Sequence, residues 1–346
     1  EGGKHGITGA NAALIRNEEG GTIVGRNGSG LNYDTEQAEN DGAVTVINYG
    51  LISGRYDGFG DGDGDGVDVD YLVEVRNFGR IEGAGADNLD DFADGIAAGG
   101  GRIFNAEGGT IFGETNGILI DDGDRNGAYA ATKLVNDGTI SAELGTAVRF
   151  IGDFDDAITN HGTIESLAGR AIDTGAGDDK VLNLGTITGD VLLGAGDDAY
   201  KSTGTVSGLI DGGDGDDLIS GATGADRIFG GLGRDVLTGA SGADTFIYTD
   251  VAESVVGTPD RITDFTVLVD TLDLSGIDAD VSTDGDQAFT FIGFDAFSGT
   301  AGELRAVETA GGVRVYGDVD GDARADLAIF LEGSVPVSFL GQSIEF

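Results

Sequence analysis

The sequence contains no cysteine, no methionine and no tryptophan, and only 2 prolines in 346 residues. Without cysteine there is no disulfide, no thiolate nucleophile, and none of the soft ligands that structural zinc sites prefer. Positive charge is scarce: 19 Lys plus Arg stand against 62 Asp plus Glu, a formal net charge of −43. That balance repels the phosphate backbone of nucleic acid and the anionic surface of a membrane. No apolar run is long enough to form a bilayer-spanning helix. No basic-then-apolar leader opens the sequence at Glu1 to Ala10. Glycine is abundant, at 65 residues, and the hydrophobic fraction is 39%, too high for charge-driven disorder. The chain is expected to fold, and something must neutralise its acid.

A phrase of the form N-x-G-x-I recurs from Asn17 through Asn48, Asn77, Asn105, Asn136 and Asn160 to Asn183, sometimes with an insertion before the glycine. The glycine before each -x-I falls at 21, 50, 79, 109, 138, 162, 185 and 204. A short apolar run precedes each Asn, and a second follows at Val67, Ile96, Ile118, Val148, Ile172 and Val191. Short β-rich runs between Gly/Asn/Asp corners describe strands, and repeats of about 20 to 30 residues stack as coils of a solenoid. The expected fold is all-β: a right-handed parallel β-helix over 1–204. The Asn residues are read as structural, tolerating a left-handed corner and hydrogen-bonding from coil to coil.

From Gly212 the text becomes nine-residue units: G-G-D-G-D-D-L-I-S, G-A-T-G-A-D-R-I-F from Gly221, G-G-L-G-R-D-V-L-T from Gly230 and G-A-S-G-A-D-T-F-I from Gly239. Earlier copies start at Thr174 and Leu193. These resemble the calcium-binding nonapeptide of RTX (repeats-in-toxin) proteins. Glycines allow positive φ and inward carbonyls, and the sixth-position Asp adds a carboxylate. The eighth position is apolar in every copy, at Val181, Tyr200, Ile219, Ile228, Leu237 and Phe246, and reads as core.

Calcium takes 6–8 oxygens, more than one such loop supplies, so stacked loops must share each ion. Asp179, Asp198, Asp217 and Asp235 lie 19, 19 and 18 residues apart, one coil each, and should line one edge. Asp226 and Asp244, 18 apart, should line the other. Three ions are expected along the first edge and one along the second. The glycines of the first edge, Gly175, Gly177, Gly194, Gly196, Gly213, Gly215, Gly231 and Gly233, would contribute backbone oxygens. The β-helix is thus expected to continue into a β-roll over 205–248, with calcium loops beginning at 174.

Two further acidic loops have calcium-like spacing. Asp61, Asp63 and Asp65 resemble the first half of an EF-hand loop, as do Asp318, Asp320, Asp322 and Asp326, but neither loop has the Glu that closes an EF-hand. Each reads equally as a calcium loop or as a solvated acidic turn.

After Phe246 the text D-R-I-T-D-F-T-V-L-V-D-T-L-D-L-S-G-I-D-A-D from Asp260, and F-T-F-I-G-F-D-A-F-S-G-T-A-G-E-L-R from Phe289, resemble the C-terminal region of serralysin-type secreted metalloproteases. The resemblance implies an antiparallel cap and type I secretion region over 249–346, with the type I secretion machinery as a partner. The protease itself does not carry over: there is no H-E-x-x-H, and the two histidines, His5 and His161, are far apart.

The reading that follows is a non-enzymatic, calcium-dependent extracellular protein, a surface-layer, matrix or adhesin component, with cell-surface polysaccharide as a candidate partner. The first coil opens at Gly6 to Gly9 with no recognisable cap, so an upstream domain or a head-to-tail copy is expected there. A polysaccharide lyase or epimerase is the enzymatic alternative, if Arg55, Tyr56, Tyr71 and Arg76 converge. Ice binding through Thr110, Thr139, Thr163, Thr186 and Thr205 is a third, with Leu51, Arg80, Glu82 and Glu165 interrupting that face.

Overall fold

The computed structural model describes residues 5–33, 43–56, 64–85, 93–121 and 128–346. The chain divides into two compact units: Glu1–Gly194 with Gly204–Gly208, and Ala195–Thr203 with Leu209–Phe346.

In the first unit every coil contributes strands to three rows of parallel pairings, the arrangement of a parallel β-helix. One row is Leu14–Asn17, Val44–Asn48, Val73–Asn77, Gly101–Asn105, Thr132–Asn136, Ala157–Asn160 and Lys180–Asn183. Side chains alternate in and out along each strand, so each row sends one column of residues inward. Ile52, Ile81, Ile111, Ile140, Ile164 and Ile187 stack in one such column, and Val67, Ile96, Ile118, Val148, Ile172 and Val191 in another. All twelve are at most 1% exposed. Each contributes roughly 1.5–3 kcal/mol by leaving water, and like side chains stacked in register leave no steps for voids.

The asparagine column runs through the row that ends on Asn17, Asn48, Asn77, Asn105, Asn136, Asn160 and Asn183. Each Nδ2 donates to the next Oδ1 at 2.8–2.9 Å from Asn17 through to Asn183. Each of these six also donates to a carbonyl of the following coil, as Asn77 does to Thr110 at 3.0 Å. One part of the sequence expectation fails. Asn27 is the one Asn with positive φ among the described residues, so the column Asn residues are strand ends and not left-handed corners. The bonds of each amide to the next amide and to a carbonyl of the following coil account for them.

The glycine of N-x-G-x-I has a steric origin. A Cβ on Gly50, Gly79, Gly138, Gly162, Gly185 or Gly204 would strike the carbonyl oxygen of the column glycine one coil before.

The second unit is a β-roll closed by an antiparallel cap. Leu209–Asp214, Arg227–Leu232, Thr245–Ile247, Thr271–Asp273 and Ile344–Glu345 pair in parallel in one sheet. Ala199–Ser202, Leu218–Ser220, Val236–Thr238, Asp260–Ile262 and Leu327–Glu332 do so in the other. From Leu327–Glu332 the pairing turns antiparallel, to Gly312–Asp318 and then to Glu303–Thr309. The nonapeptide apolar positions form the thin core: Ile219, Ile228, Leu237 and Phe246 are fully buried. The only helical pieces among the described residues are short 3-10 turns at Val251–Glu253 and Val337–Gln342.

Candidate metal centre

The sixth-position aspartates form columns at the corners that enter each strand. In the second unit the backbone N–H of Asp198 donates to Asp217 Oδ1 at 2.8 Å. That of Asp217 donates to Asp235 Oδ1 at 2.9 Å, and that of Asp235 to Asp260 Oδ1 at 2.8 Å. Asp198, Asp217 and Asp235 precede strands of one sheet, and Asp260 opens the next strand of it. Asp226 and Asp244 precede strands of the other: Asp226 N–H donates to Asp244 Oδ1 at 2.9 Å, and Asp244 N–H to Asp270 Oδ1 at 3.1 Å. In the first unit, Asp156 N–H donates to Asp179 Oδ1 at 2.7 Å, and Asp156 Oδ1 accepts from Thr132 N–H.

Asp156, Asp260 and Asp270 escaped the motif search. Ile151–Thr159, I-G-D-F-D-D-A-I-T, is a degenerate nonapeptide in which Phe154 stands where the second loop glycine belongs. Asp260-Arg261-Ile262 and Asp270-Thr271-Leu272 keep only the D-x-U core of the motif. Spacing beyond the glycine-rich copies was the available signal.

Loop backbone follows the glycines. In the four loops of the first edge the second and fourth positions have positive φ: Gly175 and Gly177 at 89° and 117°, Gly194 and Gly196 at 107° and 139°, Gly213 and Gly215 at 100° and 137°, Gly231 and Gly233 at 93° and 141°. A Cβ at Gly231 would also meet the Gly213 carbonyl. Gly231→Ala is therefore expected to cost about 3 kcal/mol, combining left-handed strain with overpacking. Gly257→Ala, where a Cβ meets nothing within 4 Å, should stay within about 0.5 kcal/mol. Thermal melts of both variants in calcium check the contrast.

The electrostatics set the chemistry of the columns. Asp217 and Asp235 are 1% and 0% exposed, and each Oδ2 lies against the first glycine of its own repeat, Gly212 or Gly230. No hydrogen-bond donor among the described residues reaches these two oxygens. Burial, reinforced by the neighbouring carboxylates, pushes both groups from 3.8 up to about 8. Burial likewise raises Asp260 to about 7, and Asp156 and Asp244 to about 6. Burial and then the charge of Asp260 push the Tyr248 hydroxyl up. A protein operating near neutral pH would hold these acids half-protonated or strained. A hard divalent cation removes the conflict, because it takes carboxylate and carbonyl oxygens and needs no hydrogen-bond donor. The donor set is all oxygen, which fits calcium and disfavours zinc.

The second acidic loop has its own geometry. Carboxylate oxygens of Asp318, Asp320 and Asp326 lie within 4.8 Å of one another. Asp318 is fully buried, its oxygens accepting from Gly321 N–H at 2.7 Å and Ala323 N–H at 3.0 Å. Asp322 does not join the cluster; it accepts from Arg324 N–H at 2.8 Å and faces solvent. In the other loop, Asp61 and Asp63 lie outside the described residues. Asp65 is buried and accepts from Asp94 N–H at 2.6 Å, starting a polar column that continues through Asp94 and Asn116 to Thr146. Three unlike residue types hide that column from a repeat search.

The alternative sites are not gathered. Arg55 ends Leu51–Arg55 in one row of strands, Arg76 lies in Val73–Asn77 in another, and Tyr71 packs edge-on against Tyr129. His161 is exposed at a corner with Nδ1 2.8 Å from Asp137 Oδ1. The five threonines do share one column. Leu51 and Arg80 precede them in it, and Glu82, Phe112 and Glu165 occupy the adjacent outward row, so charge and an aromatic ring break the flat array.

A glycine-turned roll with buried carboxylate columns on two edges defines the class of calcium-binding β-roll domains. The model of the family described as Peptidase M10 serralysin C terminal matches residues 157–338, more than half of the chain. The chain belongs to that family, whose RTX-type domains bind calcium and come from secreted proteins. No curated protein matches the sequence. No helix among the described residues is long and apolar enough to cross a membrane.

Proposed function

We propose that the chain is a calcium-dependent extracellular structural or adhesive protein, a surface-layer, matrix or adhesin component. It leaves the cell unfolded through type I secretion machinery and folds on meeting calcium. The observation that carries this reading is the pair of buried, donorless oxygens, Asp217 Oδ2 and Asp235 Oδ2. Without a cation these groups oppose folding at neutral pH; with one they become ligands. Ions are assigned between Asp198 and Asp217, between Asp217 and Asp235, and between Asp226 and Asp244, with a further one at Asp318, Asp320 and Asp326. Extracellular calcium modules bind at about 10⁻⁴–10⁻³ M, so cytosolic calcium leaves such sites unfilled and external calcium fills them. A cell-surface polysaccharide is the adhesive target.

The test is a calcium titration of the purified chain followed by far-UV circular dichroism, paired with fractionation of producing cells. The β-signal should develop as calcium reaches the millimolar range, and chelator should release the protein from the cell surface. A full β-signal at neutral pH without calcium, or retention on cells after chelation, contradicts the reading.

A further inference from the structure

The outward face of the strand row that carries the asparagine column holds a groove of about 480 Å³, lined by Glu74, Arg76, Phe78, Arg102, Phe104 and Lys133. In a chain with more than three acids per base, this lining has three cations to one carboxylate. Register explains the concentration. Glu74, Arg102 and Lys133 are direct neighbours in one outward row, and Arg76 and Phe104 are neighbours in the next. Parallel strands lie about 4.8 Å apart, so Arg102 and Lys133 repel one another across a single strand spacing. Arg76 is bonded to Glu74, at 2.8 Å. Arg102 and Lys133 are exposed and have no ion-pair partner among the described residues.

Aromatic rings continue from the cations along the stacking direction of the coils. Tyr49 stacks flat on Phe78, with centroids 4.8 Å apart and planes 8° from parallel, and Arg16 sits 5.0 Å over the Tyr49 ring. Phe78 meets Phe104 edge-on at 6.1 Å. Phe78 remains 40% exposed. These rings are not core, since the inward column of the same row is filled by Val46, Val75, Ile103 and Leu134.

We propose that this groove binds an acidic polysaccharide, with uronate carboxylates on Arg102 and Lys133 and sugar ring faces on Phe78 and Phe104. The chemistry selects that ligand. Guanidinium and ammonium groups pair with carboxylates, and ring faces of Phe and Tyr offer apolar platforms beside them. Neutral glycans use only the platforms. Nucleic acid could use both elements and carries charge of the same sign, so the oligonucleotide arm of the experiment below separates it from a uronate chain. The proposal deepens the adhesive reading by naming its ligand and rests on that reading in this respect alone.

The experiment is calorimetric titration of the whole chain, in calcium, with a short oligogalacturonate, a neutral oligosaccharide of equal length and a single-stranded oligonucleotide. The oligogalacturonate should bind, the neutral sugar at least roughly tenfold more weakly, and the oligonucleotide more weakly still. Arg102→Gln with Lys133→Gln should weaken oligogalacturonate binding by more than about tenfold. Phe78→Ala should weaken it severalfold, and all variants should keep the wild-type dichroism and melting temperature. No oligogalacturonate binding by folded protein, undiminished binding by the double variant, or tighter binding of the neutral sugar or the oligonucleotide overturns the assignment. Dichroism of the same samples keeps the two readings apart: a chain that folds in calcium and does not bind defeats only the groove.

Discussion

In chelator the protein is expected to be more stable near pH 4 than near pH 8, and in calcium the order should reverse. The sign follows from the buried carboxyls. In the metal-free fold Asp217 and Asp235 are pushed from 3.8 to about 8, with burial the leading cause. A group whose folded pKa lies above its unfolded value favours the fold fully below the unfolded pKa, and that contribution disappears as pH rises through the folded pKa. The window is therefore about pH 4 to 8. At about 1.4 kcal/mol per unit, each group shifts stability by on the order of 5 kcal/mol across it, a large part of what holds a domain together. Calcium reverses the sign. A bound cation holds the carboxylates ionised, so their folded pKa falls below the unfolded value, and stability is present at neutral pH and lost on acidification as the ions leave. Thermal melts followed by far-UV dichroism across this range, with calcium and with chelator, should give curves of opposite slope that cross. Asp217→Asn sharpens the test: it should stabilise the metal-free chain near pH 8 and destabilise the calcium-loaded one. Metal-free stability that climbs with pH would remove the basis for a cation at these corners.

Asn105→Asp is expected to destabilise the first unit by about 4 kcal/mol, the magnitude of an uncompensated buried charge. Asn105 is fully buried, and its Nδ2 donates to Asn136 Oδ1 at 2.8 Å, Gly109 O at 3.2 Å and Thr139 O at 3.1 Å. Its Oδ1 accepts from Asn77 Nδ2 at 2.8 Å. A carboxylate of the same shape sets an anionic oxygen against three acceptors and supplies no donor. Acidification should restore part of the loss, because a protonated carboxyl regains one donor. Chemical denaturation near pH 8 and near pH 5 measures both effects. A change below about 1 kcal/mol at the higher pH would mean that the amide column does not hold the coils together.

The columns were legible because a solenoid writes its contacts as a period. Steps of 29, 29, 30, 29, 24, 23 and 19 between column glycines place the same residue types over one another, so stacking Ile140 on Ile111 needs no three-dimensional search. The nonapeptide pairs at Gly213 and Gly215, and at Gly231 and Gly233, likewise announced their positive φ. Asp156, Asp260 and Asp270 were missed for the converse reason. Their loops have shed the glycines that mark the motif, while the hydrogen bond from one corner to the next needs only the aspartate. The polar column of Asp65, Asp94, Asn116 and Thr146 was illegible too, because any side chain that accepts from the next N–H can serve.

By itself the sequence determined the parallel coils, the buried apolar columns, the amide stack and the edge on which each glycine-marked aspartate of the roll lies. All of these recur once per coil, and stacking turns that recurrence into contact. Only the tertiary structure decided that the column asparagines are strand ends, that Asp322 stays apart from Asp318, Asp320 and Asp326, and that Arg102 and Lys133 share a groove with Phe78 and Phe104. Those facts depend on side-chain direction and on loops of unequal length between coils, and neither leaves a period in the text.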